Sequence, residues 1–215
     1  MNGNFGNVFI LGDSYSTYEG YIPDGYAVYY DGNKSVEEGG VSSAEKTWWG
    51  GLLSDTSSKL IMNNSWSGST VCYTGYNGSY CYDSSFVTRI QKHLKGGICD
   101  GKKIDTVFVF GGTNDNWANA PIGEIKYENW SDEDLKSFLP AFSFLMSYLK
   151  NENKEVKVIN ITNTELKQEV ADGMAEICRK FGIKNIVLND IAKQNGHPNE
   201  LGMKQIKEQI LAGLY

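Results

Sequence analysis

Four residues in this chain are of a type and in a setting to carry nucleophilic chemistry: Ser14, Gly68, Asn114 and His197. A serine hydroxyl is a weak nucleophile at neutral pH. It needs a base to take its proton and donors to hold the charge that develops on a substrate oxygen. Only two histidines are available. His197, in Asn195-Gly196-His197-Pro198-Asn199, lies between the last apolar run and the last helical pattern, and its Gly and Pro neighbours fix the backbone, so it is the expected base. His93 falls on the surface side of a helical pattern and is expected to stay outside the chemistry. Gly68 lets a backbone N–H approach a substrate closely, and the Asn114 carboxamide offers two donors. With the Ser14 N–H they form a candidate three-donor oxyanion site. Taken singly, Gly12-Asp13-Ser14 is an ordinary turn and His197 an ordinary capping residue; their joint occurrence carries the reading.

The elements that must position these residues repeat one grammar. Asn7 to Leu11 is a short apolar run ending at Gly12, Leu60 to Met62 runs into Asn63-Asn64-Ser65, and Ile104 to Phe110 runs into Gly111-Gly112-Thr113-Asn114. Runs with no polar side predict strands buried on both faces, as in a parallel sheet, with ligands at the carboxyl ends. Val156 to Ile161 and Ile183 to Leu188 supply two further strands. Helical spacing predicts helices over 43–54, 85–94, 165–181 and about 199–214, and a run over 131–149 opened by a Ser131/Asp134 capping box. Pro140 should kink or divide that run. Trp48 and Trp49 are adjacent and cannot share one helix face, so one of them is expected to point to a groove or solvent. The order βαβαβαβαβα predicts a three-layer α/β/α sandwich around a five-stranded parallel sheet. Loops 15–40, 71–84 and 117–130, rich in Tyr and Trp, are the expected crevice walls.

Composition narrows the partners. A length of 215 residues suits one domain, 1–215. A net charge of −6 with scattered lysines argues against nucleic acid. No apolar run reaches the roughly 20 residues a membrane span needs, and the opening MNGNFGN lacks a secretory pattern. A cytoplasmic location is expected for the chain as written, and a secreted one if a leader has been removed. Four cysteines show no CxxC pair, so no metal site is expected. Cys72 and Cys81 flank one loop and can bridge in an oxidising compartment, but free thiols are the expected state.

In order, Gly12-Asp13-Ser14, Gly68 after the Asn64-Ser65 strand end, Gly112-Thr113-Asn114-Asp115, and His197-Pro198 resemble the four blocks of the SGNH hydrolases, the GDSL-type esterases and lipases. The resemblance spans residues 12 to 198 and rests on about twenty positions. It implies a flavodoxin-like fold without metal or organic cofactor. It also implies Ser14 as nucleophile, His197 as base, and Ser14 N–H, Gly68 N–H and the Asn114 amide as oxyanion donors. The family's GDSL reads GDSY here. Where such enzymes place an aspartate three residues before the histidine, this chain has Gln194. Asp190 is the nearest carboxylate in sequence that can take its place; a Ser–His dyad oriented by Gln194 or by a backbone carbonyl is the alternative.

The expected reaction is ester hydrolysis through an acyl-enzyme. Tyr and Trp with interspersed Asn and Ser suit a sugar, whose C–H faces stack while its hydroxyls bond. A short acyl ester, such as acetyl, on a carbohydrate is therefore the favoured substrate. Lipase, lysophospholipase and thioesterase activities are the alternatives within the family, and a carbohydrate-binding protein with weak or lost turnover is one outside it. A flavin- or phosphate-binding protein of similar fold is disfavoured, because the first loop has no phosphate-cradling Gly/Ser/Thr run and carries Tyr15.

Overall fold

Five parallel strands form the centre of the computed structural model, which describes residues 3–214. They are β1 (Asn7–Gly12), β2 (Lys59–Ser65), β3 (Thr106–Phe110), β4 (Lys157–Thr162) and β5 (Lys184–Val187), and their spatial order is β2-β1-β3-β4-β5. Chain direction across the sheet reverses between β1 and β3, where Gly12 lies beside Phe110. Open α/β sheets bind their ligands at such a switch point, outside the carboxyl ends.

Helices cover both faces because successive strand residues point to opposite sides. Phe9, Leu11, Val107, Val109 and Val158 face α2 (Phe86–His93), α4 (Phe138–Asn151) and α5 (Gln168–Lys180). Val8, Ile10, Phe108, Phe110, Ile159 and Ile161 face α1 (Trp48–Thr56) and α6 (Glu200–Leu214). This is the three-layer α/β/α arrangement expected from the sequence. A short α3 (Thr113–Trp117) follows β3 directly.

The local expectations are met in part. The 131–149 run is divided, one of the two outcomes expected of it, but at Ser137, ahead of the proline: the reciprocal Ser131/Asp134 bonds close a turn that leads into a single 3-10 turn, Asp134–Lys136, and α4 begins at Phe138. Pro140 then sits in the first turn of α4, where its missing N–H costs nothing, and it introduces no kink. Trp48 and Trp49 are both buried, which corrects the expectation that one faces a groove or solvent. Their indole N–H groups donate to Ser16 Oγ at 3.1 Å and to Ser16 O at 2.9 Å, so both rings close over the turn that follows β1. Burial of an indole is tolerated when its N–H finds an acceptor, and Ser16 supplies two. The four cysteines are free thiols.

Candidate active site

Ser14 begins a 3-10 turn, Ser14–Ser16, immediately beyond β1. Asp13 caps that turn, its Oδ1 accepting from Tyr15 N at 3.0 Å. The turn is pinned from two further directions: Asn63 Nδ2 donates to Ser16 O at 2.8 Å from the end of β2, and the two indoles close from α1. Ser14 itself is only 2% exposed. The turn that bears Ser14 is therefore fixed by the carboxyl ends of two strands and by the first residues of α1.

The other end of the chain meets it there. Lys193–Gln194 and His197–Pro198 form a small antiparallel ribbon joined by Asn195-Gly196, whose φ values of 52° and 78° are those of a two-residue type I′ hairpin turn. The ribbon presents His197 so that Nε2 lies 2.9 Å from Ser14 Oγ, across 183 positions of sequence. Nδ1 lies 3.2 Å from Asn195 O. A carbonyl only accepts, so Nδ1 carries the proton and Nε2 presents its lone pair to the Ser14 hydroxyl. That is the tautomer a general base needs.

Neither of the two side chains considered as partners of His197 fills that place. Asp190 is exposed, and its neighbours Asn189 N and Ala192 N bond to Gln209 and Gln205 of α6. That segment follows α6 rather than the imidazole, which corrects the assignment of Asp190 to the site. Gln194 donates from Nε2 to Glu37 O at 3.1 Å, tethering the 36–39 turn. The Asn195 carbonyl is what faces Nδ1, the backbone alternative of the sequence reading. His93 also stays apart, half-buried with Nε2 3.4 Å from Tyr26 Oη.

Burial pulls the His197 imidazole below its ordinary value of 6.5. The Asn195 carbonyl opposes that shift, and the charges of Lys34 and Lys193 add to it. Burial and the two lysines thus favour the neutral ring. Aromatic groups surround it: Tyr29 is stacked on it at 3.6 Å between ring centroids, with Tyr15 at 5.4 Å and Trp117 at 5.6 Å.

Gly68 and Asn114 are brought together through Ser69, the residue that follows Gly68. Gly68, at φ 80°, turns the chain after β2. Asn114 Nδ2 donates to Ser69 O at 3.0 Å, and Tyr76 Oη donates to Asn114 Oδ1 at 2.8 Å. The adjacent Asp115 accepts from Val71 N at 2.9 Å and from Cys72 N at 3.1 Å. The first turn of α3 thus grips the loop that Gly68 opens. One Asn114 N–H is committed to that loop, and its oxygen is polarised by a phenol.

Arg89 is the residue that sequence reasoning passed over. It lies on α2, 1% exposed, and extends under the site. Nη2 donates to Gly12 O at 3.1 Å and to Ser69 Oγ at 3.0 Å, Nη1 to Asn64 O and to Asn64 Oδ1, and Nε to Ser84 O at 2.8 Å. One guanidinium therefore ties the ends of β1 and β2 to the loop after Gly68. Two buried carboxylates lie nearby. Burial raises Asp13 to about 7 and Asp115 to about 6, with Arg89 partly offsetting the rise at Asp13. The available signal was that Arg89, one of two arginines in the chain, falls between the buried positions Phe86 and Ile90 of an amphipathic helix. Arginine is the cation whose fork can satisfy several carbonyls at once.

A flavodoxin-like parallel sheet with a Ser–His pair over its carboxyl edge is the layout of the SGNH-type hydrolases. A profile described as GDSL-like Lipase/Acylhydrolase matches residues 6–214. A GDSL-like lipase candidate from Bacteroides uniformis is 46% identical to the chain, at a TM-score of 0.87 over 95% of this chain and 93% of that one. Another from Bacteroides ovatus is 40% identical, at a TM-score of 0.88 over 95% of both chains. A family two carbohydrate esterase from Clostridium thermocellum, solved in complex with cellohexaose, shares the fold at 12% identity. Its TM-score is 0.57 over 96% of this chain and 62% of that one. No curated protein matches the sequence. The chain belongs to the GDSL-like lipase/acylhydrolase family, hydrolases that act on esters. Among the described residues, no helix is long and apolar enough to cross a membrane.

Proposed function

We propose that the chain removes short acyl groups, acetyl foremost, from carbohydrate hydroxyls, with Ser14 as nucleophile and His197 as general base. The observation that carries the reaction is the 2.9 Å contact from Ser14 Oγ to His197 Nε2, with the opposite ring nitrogen on an acceptor-only carbonyl. Ser14 Oγ bonds to the ester carbonyl carbon while its proton passes to Nε2. The resulting oxyanion is held by the N–H groups of Ser14 and Gly68 and by the free N–H of the Asn114 amide. Collapse breaks the bond to the alcohol, which leaves with the proton from Nε2. Water then attacks the acyl-Ser14 ester, giving its proton to Nε2, and Ser14 recovers a proton as the acid departs.

The substrate class is supported by what stands around Ser14. Imidazole, carboxamide, phenol and indole groups converge there, and such rings and hydrogen-bonding groups suit a sugar better than an alkyl chain. A cellohexaose complex of a distant relative with the same fold is consistent with this reading. Acetylated oligosaccharides are expected to be turned over with a higher kcat/KM than p-nitrophenyl esters of long acyl chains, lysophospholipid or an acyl thioester. A preference for any of the latter three moves the assignment to lipase, lysophospholipase or thioesterase. The carbonyl in place of a carboxylate favours one further reading, a glycan-binding protein with little turnover. Binding of deacetylated oligosaccharide with equal esterase rates in wild type and Ser14→Ala would establish it.

The lowered imidazole pKa gives this reaction a pH signature. Only neutral His197 accepts the Ser14 proton, so kcat/KM is expected to rise with pH and level off. The midpoint should lie below the ordinary 6.5, since burial penalises the charged ring. Initial rates on a neutral ester from about pH 5 to about pH 8 check this. A midpoint at or above 6.5 contradicts it.

A further inference from the structure

Among the described residues the Nδ1 side of His197 faces the Asn195 carbonyl and no carboxylate, yet in the proposed reaction the ring must hold one orientation and accept a positive charge. Three tyrosines, all from the segment that follows Ser14, occupy its surroundings. Tyr15 Oη donates to Gly196 O at 2.5 Å and Tyr30 Oη to Pro198 O at 2.7 Å, so the backbone is gripped on both sides of His197. Between these two bonds, the Tyr29 ring lies over the imidazole at 3.6 Å and 9° from parallel. Tyr29 is itself placed by the nucleophile turn: its N–H donates to Thr17 Oγ1 at 3.0 Å, and that hydroxyl donates to Ser14 O at 3.0 Å. The ring that covers the base is thus two hydrogen bonds from the residue whose proton the base would take.

We propose that Tyr29 is a positioning residue that does part of the work of the absent carboxylate, its ring face orienting His197 and stabilising the imidazolium formed in the transition state. The inference rests on the Ser14–His197 reaction proposed above. An aromatic face carries negative electrostatic potential and attracts a cation stacked on it, most strongly where water is excluded. The neutral ring gains less, so the contact favours the transition state over the ground state, the kind of interaction that raises kcat. The charged groups around His197 offer no substitute. Lys34 Nζ, 4.8 Å from the Tyr29 centroid, and Lys193 Nζ, 5.8 Å from the Tyr15 centroid, both repel an imidazolium. Lys193 is partly answered by Glu165 at 2.9 Å. Among the described residues, the other hydrogen-bond and ring contacts of the imidazole are neutral: the Asn195 carbonyl, the Ser14 hydroxyl, Tyr15 and Trp117.

The test keeps the shape of the ring and changes its electrons. Tyr29 is replaced by Phe and by mono-, di- and trifluorinated phenylalanines, which withdraw electron density from the face with little change in size. Kinetics on an acetyl ester are measured alongside the His197 titration followed by NMR, with His93 as internal reference. Tyr29→Phe should retain most of kcat, since the face remains. Across the fluorinated series, kcat and the His197 pKa should fall together while KM stays level, and Tyr29→Leu should lose about five- to thirty-fold in kcat. A series flat in both kcat and pKa overturns the role of Tyr29. If turnover also survives Ser14→Ala, the reaction itself fails; if Ser14→Ala abolishes it, the reaction stands and only the Tyr29 inference falls.

Discussion

Alanine at Ser14 or at His197 is expected to lower kcat/KM for an acetyl ester by about 10³-fold or more, and the double replacement to be no worse than either single one. The two side chains form one device, joined by the 2.9 Å contact. Without the hydroxyl there is nothing for the imidazole to deprotonate, and without the imidazole the hydroxyl keeps its proton. Their effects therefore overlap instead of multiplying. The residual rate comes from the oxyanion donors acting on bound ester and attacking water. Ser14→Ala removes only a hydroxyl, so its urea midpoint should stay near that of the wild type, whereas His197→Ala opens a gap beside Tyr29, Tyr15 and Trp117 and should lower it modestly. Steady-state rates on the three variants, with melts as controls, make the check. A double variant much slower than the slower of the two single ones would show that the residues act separately.

Arg89→Met is expected to destabilise the fold by about 3–5 kcal/mol, the cost typical of removing one partner from a buried charged network. Methionine fills much of the volume but donates nothing. Gly12 O, Asn64 O and Oδ1, Ser69 Oγ and Ser84 O would each lose a donor in a region closed to water. Arg89→Lys should recover only part, because an ammonium is a point donor and cannot span acceptors on two strands and two loops. The other arginine, Arg179, is exposed on α5, and its replacement by Met should stay within about 0.5 kcal/mol. Urea unfolding of the four proteins separates these cases. A loss below about 1 kcal/mol at Arg89 would mean that water replaces the guanidinium.

Legibility in the sequence followed how local each signal was. The five strands were readable because runs such as Val107 to Phe110 have no polar side, and Ser14, Gly68, Asn114 and His197 stood out as candidates because each follows such a run or a turn signal. Tertiary partners were not. The Asn195-Gly196 dipeptide is a strong hairpin signal that fixes His197 on a ribbon, yet the segment reads as an open loop when only the histidine is considered. Asp190 attracted attention as the nearest carboxylate in sequence, but its segment is bonded to Gln205 and Gln209 of α6, residues with no motif of their own. Trp48 and Trp49 were split between core and solvent by helix geometry; what brings both inside is Ser16, some thirty positions away. Arg89 belongs to no motif, and its part in the fold depends on the strand-end carbonyls beneath α2.

The separation of Ser14 from His197 by 183 positions has a consequence in time. During N-to-C synthesis the Ser14 turn is made after β1 and before the other four strands, whereas the His197 ribbon is made after all five. In the proposed reaction, a folding intermediate with all five strands but without the ribbon holds Ser14 apart from its base. Esterase activity is therefore expected to appear only when the ribbon and α6 dock.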